Sequence, residues 1–166
     1  EEKEFYTESL QITEYEKYCS VSVGEAIEEE HIVIPSTYNE KPVTTIESYG
    51  FYKCKNLKKI DFPDTLLEIN DKAFEGCENL IEFSLPDSIK SIGDRAFSSC
   101  TSLTYIDIPA SCTNIYGNYT FGYKTAGKLY LKEIYNFDKS FIIFLLTPNA
   151  FIFFKFCNTS TSFILL

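Results

Sequence analysis

Residues 51–69 read FYKCKNLKKIDFPDTLLEI, residues 74–92 read FEGCENLIEFSLPDSIKSI, and residues 97–115 read FSSCTSLTYIDIPASCTNI. Each stretch begins 23 residues after the one before it. Phe51, Phe74 and Phe97 recur in register, and so do Cys54, Cys77 and Cys100. Leu57, Leu80 and Leu103 keep the same interval, as do Pro63, Pro86 and Pro109, and Ile46, Ile69, Ile92 and Ile115. Agreement at so many positions is beyond chance. A fixed period in the twenties marks a solenoid, in which a coil can bury its apolar side only against the coils next to it. The repeat speaks to architecture and surface, and hardly to chemistry.

Within one coil each residue type has a physical reason. Leu57-x-x-Ile60-x-Phe62 ends in period-2 spacing, which predicts a short strand with Ile60 and Phe62 facing inward. Pro63 has no N–H for a ladder, and Pro-Asp or Pro-Ala suits the first positions of a turn. Leu66 and Ile69 are expected on the opposite wall. The run Asp71 to Glu75 predicts one helical or 3-10 turn, with Ala73 small enough to let coils approach and Phe74 filling the cross-section. Three full repeats is a short stack, so both ends need covering.

The pattern AF-x-x-C-x-x-L-x-x-I-x-(L/I/F)-P-x-x-(L/I)-x-x-I resembles the BspA-like leucine-rich repeat, also called the Treponema-pallidum-type class. The run from Ile32 through Pro35 and Pro42 to Ile46 is similar to the atypical first coil of that family. The likeness reaches from Ile32 to Gly122. It implies a leucine-rich-repeat β-solenoid, mostly β, with short helical or 3-10 turns. It also implies a cell-surface or secreted protein that adheres to host matrix or to other cells, in host-associated bacteria or parasitic protists. The alternative, from another class, is an intracellular scaffold or regulator of protein–protein assembly.

The chain of 166 residues is 45% hydrophobic and 23% charged, which suits one globular domain. Its net charge of −9 is unevenly spread: up to Tyr49 twelve carboxylates face three lysines, and the remainder balances. An acidic end with no basic patch argues against nucleic acid as a partner, and equally against anionic lipid. There is no Met, even at position 1, which fits a fragment or a processed form. A missing signal peptide is therefore uninformative.

Taken in order, the chain divides into an N-terminal β cap (1–31), leucine-rich repeats (32–116, with an atypical first coil 32–48 and three regular coils), a degenerate last coil (117–140) and an apolar tail (141–166). Leu10 and Ile12, then Cys19, Val21 and Val23, alternate with polar residues and predict two cap strands, the second ended by Gly24. An acidic loop follows from Glu25 to Glu30. The stretch Ser36 to Pro42 is an insertion with turn chemistry and belongs on the surface. Beyond Ile115 the Phe arrives one position late, at Phe121. Leu129 and Leu131 fall 23 residues after Ile106 and Ile108 and predict a further strand.

The tail FIIFLLTPNAFIFFKFCNTSTSFILL admits three readings. One is a membrane anchor over 141–157, against which stand Thr147-Pro148-Asn149, Lys155 and the lack of a following basic cluster. Another is a β-hairpin that covers the open end of the solenoid. The third is an extension past a truncated repeat region.

Reactive chemistry has little to stand on. The chain has no C-x-x-C pair, so a zinc site lacks a framework. Equal positions of stacked coils lie about 4.8 Å apart, whereas a disulfide wants Cβ atoms about 3.8 Å apart. Cys54, Cys77 and Cys100 thus read as buried thiols packed as small apolar groups. Cys112 stands where Leu66 and Ile89 do and reads as core, while Cys19 and Cys157 are uncommitted. His31, the only histidine, has no nucleophile motif around it and reads as a solvated residue opening the Ile32–Ile34 strand. No nucleophile elbow, phosphate loop, dinucleotide fingerprint or H-E-x-x-H occurs. The sequons at Asn118 and Asn158 matter only in a eukaryotic secretory pathway. No catalytic residue, metal ligand or cofactor is expected.

What remains is a surface. The strand residues that alternate with the inward ones form a row: His31 and Val33, Lys59 and Asp61, Glu82 and Ser84, Tyr105 and Asp107, then Lys128 and Tyr130. Solenoids bind partners across such faces. The expected protein-binding face is therefore Lys59, Asp61, Glu82, Ser84, Tyr105 and Asp107. Its expected partner is a host matrix or cell-surface protein, with membrane contact only if 141–157 is an anchor.

Overall fold

The computed structural model describes residues 7–81, 83–103, 105–117, 119–121, 129–132 and 152–155, with backbone alone at 105, 129–132 and 152–155. In chain order its strands are β1 (Gln11–Glu14), β2 (Cys19–Ser22), β3 (His31–Val33), β4 (Thr37–Tyr38), β5 (Lys41–Ile46), β6 (Lys59–Asp61), β7 (Glu68–Ile69), β8 (Ser91–Ile92), β9 (Tyr105–Asp107), β10 (Asn114–Ile115), β11 (Leu129–Lys132) and β12 (Ile152–Lys155). They form a mostly β solenoid with one strand of each regular coil on a continuous back sheet.

That back sheet has the order β1-β2-β5-β7-β8-β10, with β4 paired to β5 off the path. From β2 onward the pairing is parallel, and Ile46, Ile69, Ile92 and Ile115 lie in one cross-strand line. All four are buried. The front of the stack carries β3 against β6 and, further along, β9, β11 and β12, all parallel. Between them Phe83 to Leu85 occupies the same place in the middle coil without strand pairing among the described residues.

The interior is an aromatic column. Phe51, Phe74, Phe97 and Phe121 stack with centroids 5.0, 5.3 and 5.9 Å apart and planes within 7° of parallel. Phe62 and Phe83 pack beside it, Phe62 edge-on to Phe74 at 5.8 Å and Phe83 stacked on Phe97 at 4.7 Å. The late arrival of Phe121 is absorbed locally. Tyr116 N–H still donates to Ile92 O in the regular register, but Phe97 N–H donates to Thr120 O where Phe51 and Phe74 use Ala73 and Ala96. The extra residue thus sits between 117 and 120, where Gly117 has a φ of 79°.

Each coil turns between back and front through overlapping i→i+3 bonds rather than a continuous helix. Ala73 N–H donates to Asn70 O, Glu75 N–H to Lys72 O and Cys77 N–H to Phe74 O. Lys72 and Gly76 have φ of 56° and 80°, which a right-handed helix cannot contain. The same two positions are left-handed in the other coils: Tyr49 and Lys53 before, Arg95 and Ser99 after. Among the described residues the one 3-10 helix is Ala26–Glu28, in the acidic loop.

Both ends depart from the repeat. At the N-terminal end β1 runs antiparallel to β2 and ends the parallel stack. The insertion at Ser36–Pro42 is the β4–β5 hairpin, with Thr37 opposite Pro42 and Tyr38 opposite Lys41. At the other end β11 is present, but Leu131 pairs with Ile106 where Leu129 was expected. A slip of two residues, being an even number, leaves the backbone pleat in phase. In the tail, residues 152–155 form β12, parallel to β11. The rest of 141–166 lies outside the described residues, as do the partner segment of the expected hairpin, both sequon asparagines and Cys157. Among the described residues no helix is long and apolar enough to cross a membrane.

Candidate binding face

The Lys-Ile-Asp alternation of β6 buries Ile60 against the column and turns its neighbours outward. Register then sets His31 beside Lys59 and Val33 beside Asp61. Across these two strands a polar cluster closes. His31 Nε2 lies 2.7 Å from Asp61 Oδ2, and Lys59 Nζ lies 3.2 Å from Oδ1 and 3.3 Å from Oδ2 of the same carboxylate. The three side chains are about half exposed (47, 44 and 52%), so this is a surface network. Partial burial works against ionising Asp61, yet the hydrogen bonds from His31 and Lys59 outweigh it and hold the carboxyl below its usual range.

Ser84 and Asp107 are exposed in the succeeding coils, in line with the expected row. The Tyr105 backbone lies in β9 opposite Tyr130, and Asp107 is opposite Lys132. By backbone register Tyr130 and Lys132 follow Tyr105 and Asp107, and Lys128 lies outside the described residues along with Glu82. The His31–Asp61 pair is the contact that the repeat pattern does not show. The inserted hairpin sets His31 and Lys59 28 positions apart, so the 23-residue interval does not align them.

Among the described residues no hydroxyl or thiol hydrogen-bonds to His31, and no group of three or more His, Cys, Asp and Glu side chains is placed to hold a metal ion. Of the thiols, Cys19, Cys54, Cys77, Cys100 and Cys112 are all buried and unpaired. Cys19, uncommitted from sequence, donates to Tyr38 O at 3.7 Å beneath the β4–β5 hairpin. A polar cleft of about 390 Å³ on the turn side is lined by Ser48, Asp71, Asp94 and Tyr116. There Asp94 N–H donates to Asp71 Oδ1 at 2.8 Å, so one carboxylate caps the turn of the next coil.

Comparison with known proteins gives the same architecture. The family described as "BspA type Leucine rich repeat region (6 copies)" matches residues 27–141. A solved leucine-rich repeat protein from Bacteroides capillosus superposes with a TM-score of 0.66 at 21% identity, over 76% of this chain and 96% of that one. The leucine-rich repeat protein of T. pallidum gives 0.61 at 23% identity, over 78% and 72%. A leucine-rich cell surface protein from Faecalibacterium prausnitzii gives 0.50 at 20% identity, over 76% and 44%. No curated protein matches the chain.

Proposed function

The chain belongs to the BspA-type leucine-rich repeat family, and from that premise we propose that it is a non-catalytic binding module whose protein partner lies across the front face. The observation that carries this reading is the β3–β6 ladder, which sets His31, Lys59 and Asp61 outward in one cluster. Ser84 and Asp107 are exposed in the coils that follow, and the 23-residue interval adds Glu82 and Tyr105 to the proposed face. The partner is a host matrix or cell-surface protein, and the module is part of a cell-surface or secreted adhesion protein. The Faecalibacterium neighbour, described as a cell surface protein, supports that setting. An intracellular scaffold is the second reading, supported by five thiols left unpaired.

The test is Tyr105→Ala against the control Ser102→Ala, on a matrix protein that the wild type retains. Truncation of an outward aromatic anchor should weaken binding by about 1 kcal/mol or more and leave stability within about 0.5 kcal/mol of wild type. A variant that melts early, or binds as well as wild type, overturns the face. Retention of cytosolic proteins alone would favour the scaffold.

A further inference from the structure

At the N-terminal end two hairpin tips lie side by side. The β1–β2 loop is closed by Tyr15 N–H donating to Tyr18 O at 2.8 Å. The two rings stack across it, with centroids 4.7 Å apart and planes at 14°. The β4–β5 loop is the two-residue turn Asn39–Glu40, both at positive φ (47° and 65°), as a type I′ turn requires. Glu14 ties the tips together. Its carboxylate accepts from Asn39 Nδ2 at 2.8 Å and from Lys41 Nζ at 3.1 Å, and the same ammonium donates to Tyr15 O at 2.7 Å. Those hydrogen bonds hold the Glu14 carboxyl below its usual range.

What the clamp leaves in solvent is three tyrosines, two carboxylates and one ammonium, that of Lys17, exposed between Glu16 and Tyr18. Tyr15, Tyr18 and Tyr38 are 45, 38 and 37% exposed. Glu16 and Glu40 are exposed beside them, with no hydrogen bond or ion pair among the described residues. Rigid tyrosines on tight loops are anchors that cost little conformational entropy on binding. The surrounding charge selects the partner. Residues 7–49 hold nine carboxylates and two lysines, one of them engaged in the clamp, so the end attracts cations.

Tyrosine faces attract ammonium and guanidinium groups as well, and this chain uses that contact elsewhere. Lys53 lies 4.9 Å over Tyr52, Lys72 4.9 Å over Tyr49 and Arg95 5.4 Å over Tyr119. The rings at the hairpin tips have no such cover among the described residues. We propose that these tips are a second docking site, built from different elements than the front face, for a basic polypeptide segment. Its Lys or Arg side chains lie on Tyr15, Tyr18 and Tyr38 and pair with Glu16 and Glu40.

The test is fluorescence anisotropy with a short labelled peptide of alternating Arg and Ser, against its Glu–Ser counterpart. The Arg peptide should bind and the Glu peptide should not. Tyr15→Ser with Tyr18→Ser should weaken binding by about tenfold, the worth of two exposed cation–π contacts. Tyr15→Leu with Tyr18→Leu, which keeps apolar bulk, should lose as much, and Tyr38→Ser gives an independent reading from the other hairpin. Glu25→Gln with Glu29→Gln, and Lys59→Ala with Asp61→Ala, should each change binding by less than about twofold. The proposal is overturned if the Arg peptide does not bind, if the tyrosine variants bind it as wild type does, or if the Glu25/Glu29 variant loses as much. Loss confined to the Lys59/Asp61 variant assigns the peptide to the front face and overturns it too.

Discussion

The thiol of Cys77 donates to the carbonyl oxygen of Phe51, 26 residues earlier, at 3.0 Å. Cys100 repeats the contact on Phe74 at 3.2 Å. Each carbonyl already accepts a turn N–H from its own coil, so the thiol bridges one coil's turn to the next. A residue that reads as small apolar filler is also a donor.

Thiol labelling checks this placement. None of Cys19, Cys54, Cys77, Cys100 and Cys112 should react before denaturant is added, because all five are buried. Cys77→Ala should lower stability by about 1–2 kcal/mol, for a small cavity and a weak bond lost. Rapid native modification of Cys77 would remove the ladder from the core.

Alkaline pH should unfold the protein. Burial pushes the Cys100 thiol up to about 12 and the Cys112 thiol up to about 11, from an ordinary value of 9.0. In the raised case the fold favours the neutral thiol, so the unfolded chain loses its protons first. That stability is complete below pH 9.0 and disappears as pH climbs through the folded values. The slope is about 1.4 kcal/mol per pH unit for each thiol. Urea midpoints at pH 8 and pH 10.5 should differ, and Cys100→Ala should flatten the difference. Equal midpoints for the wild type would show that burial does not hold the thiols neutral.

Phe74 should be the worst core residue to lose, since a ring is stacked on each side at 5.0 and 5.3 Å. Phe74→Ala should cost about 3–5 kcal/mol. A urea midpoint matching wild type would refute the column.

Backbone handedness gives a pair of opposite outcomes. Glu40 has a φ of 65°, where a side chain is strained and glycine is not. Glu40→Gly should raise stability by about 0.5–1 kcal/mol. Gly76 has a φ of 80°, and an added Cβ would lie 3.0 Å from Lys53 Cγ, so Gly76→Ala should destabilise. Thermal melts of the two variants should move in opposite directions.

The periodic part of the chain was legible because one interval aligns it. Phe74, Leu80, Ile60, Leu66 and the isoleucine line are buried where the spacing put them. The unrepeated contacts were not legible. His31–Asp61 and the Glu14 clamp join residues 30 and 25 to 27 apart, across hairpins whose lengths no interval constrains. The turns hid for another reason. Lys53 and Ser99 share their position with Gly76 yet take its left-handed conformation, held there by coil-to-coil bonds such as Lys53 N–H to Glu75 O. Propensity alone would not place a lysine so.

The in-register stack also has a mechanical consequence. Each interface between regular coils repeats the same N–H to carbonyl bonds: Tyr49 to Asp71 and Lys72 to Asp94, Phe51 to Ala73 and Phe74 to Ala96. Under tension along the axis such interfaces load in series, with the β3–β6 ladder as an added tie at the first of them. The chain would yield by shedding coils singly from an end, each of 23 residues. Every step would release about 75–80 Å of extended chain, so the module gives way gradually under load while the coils still stacked keep their fold.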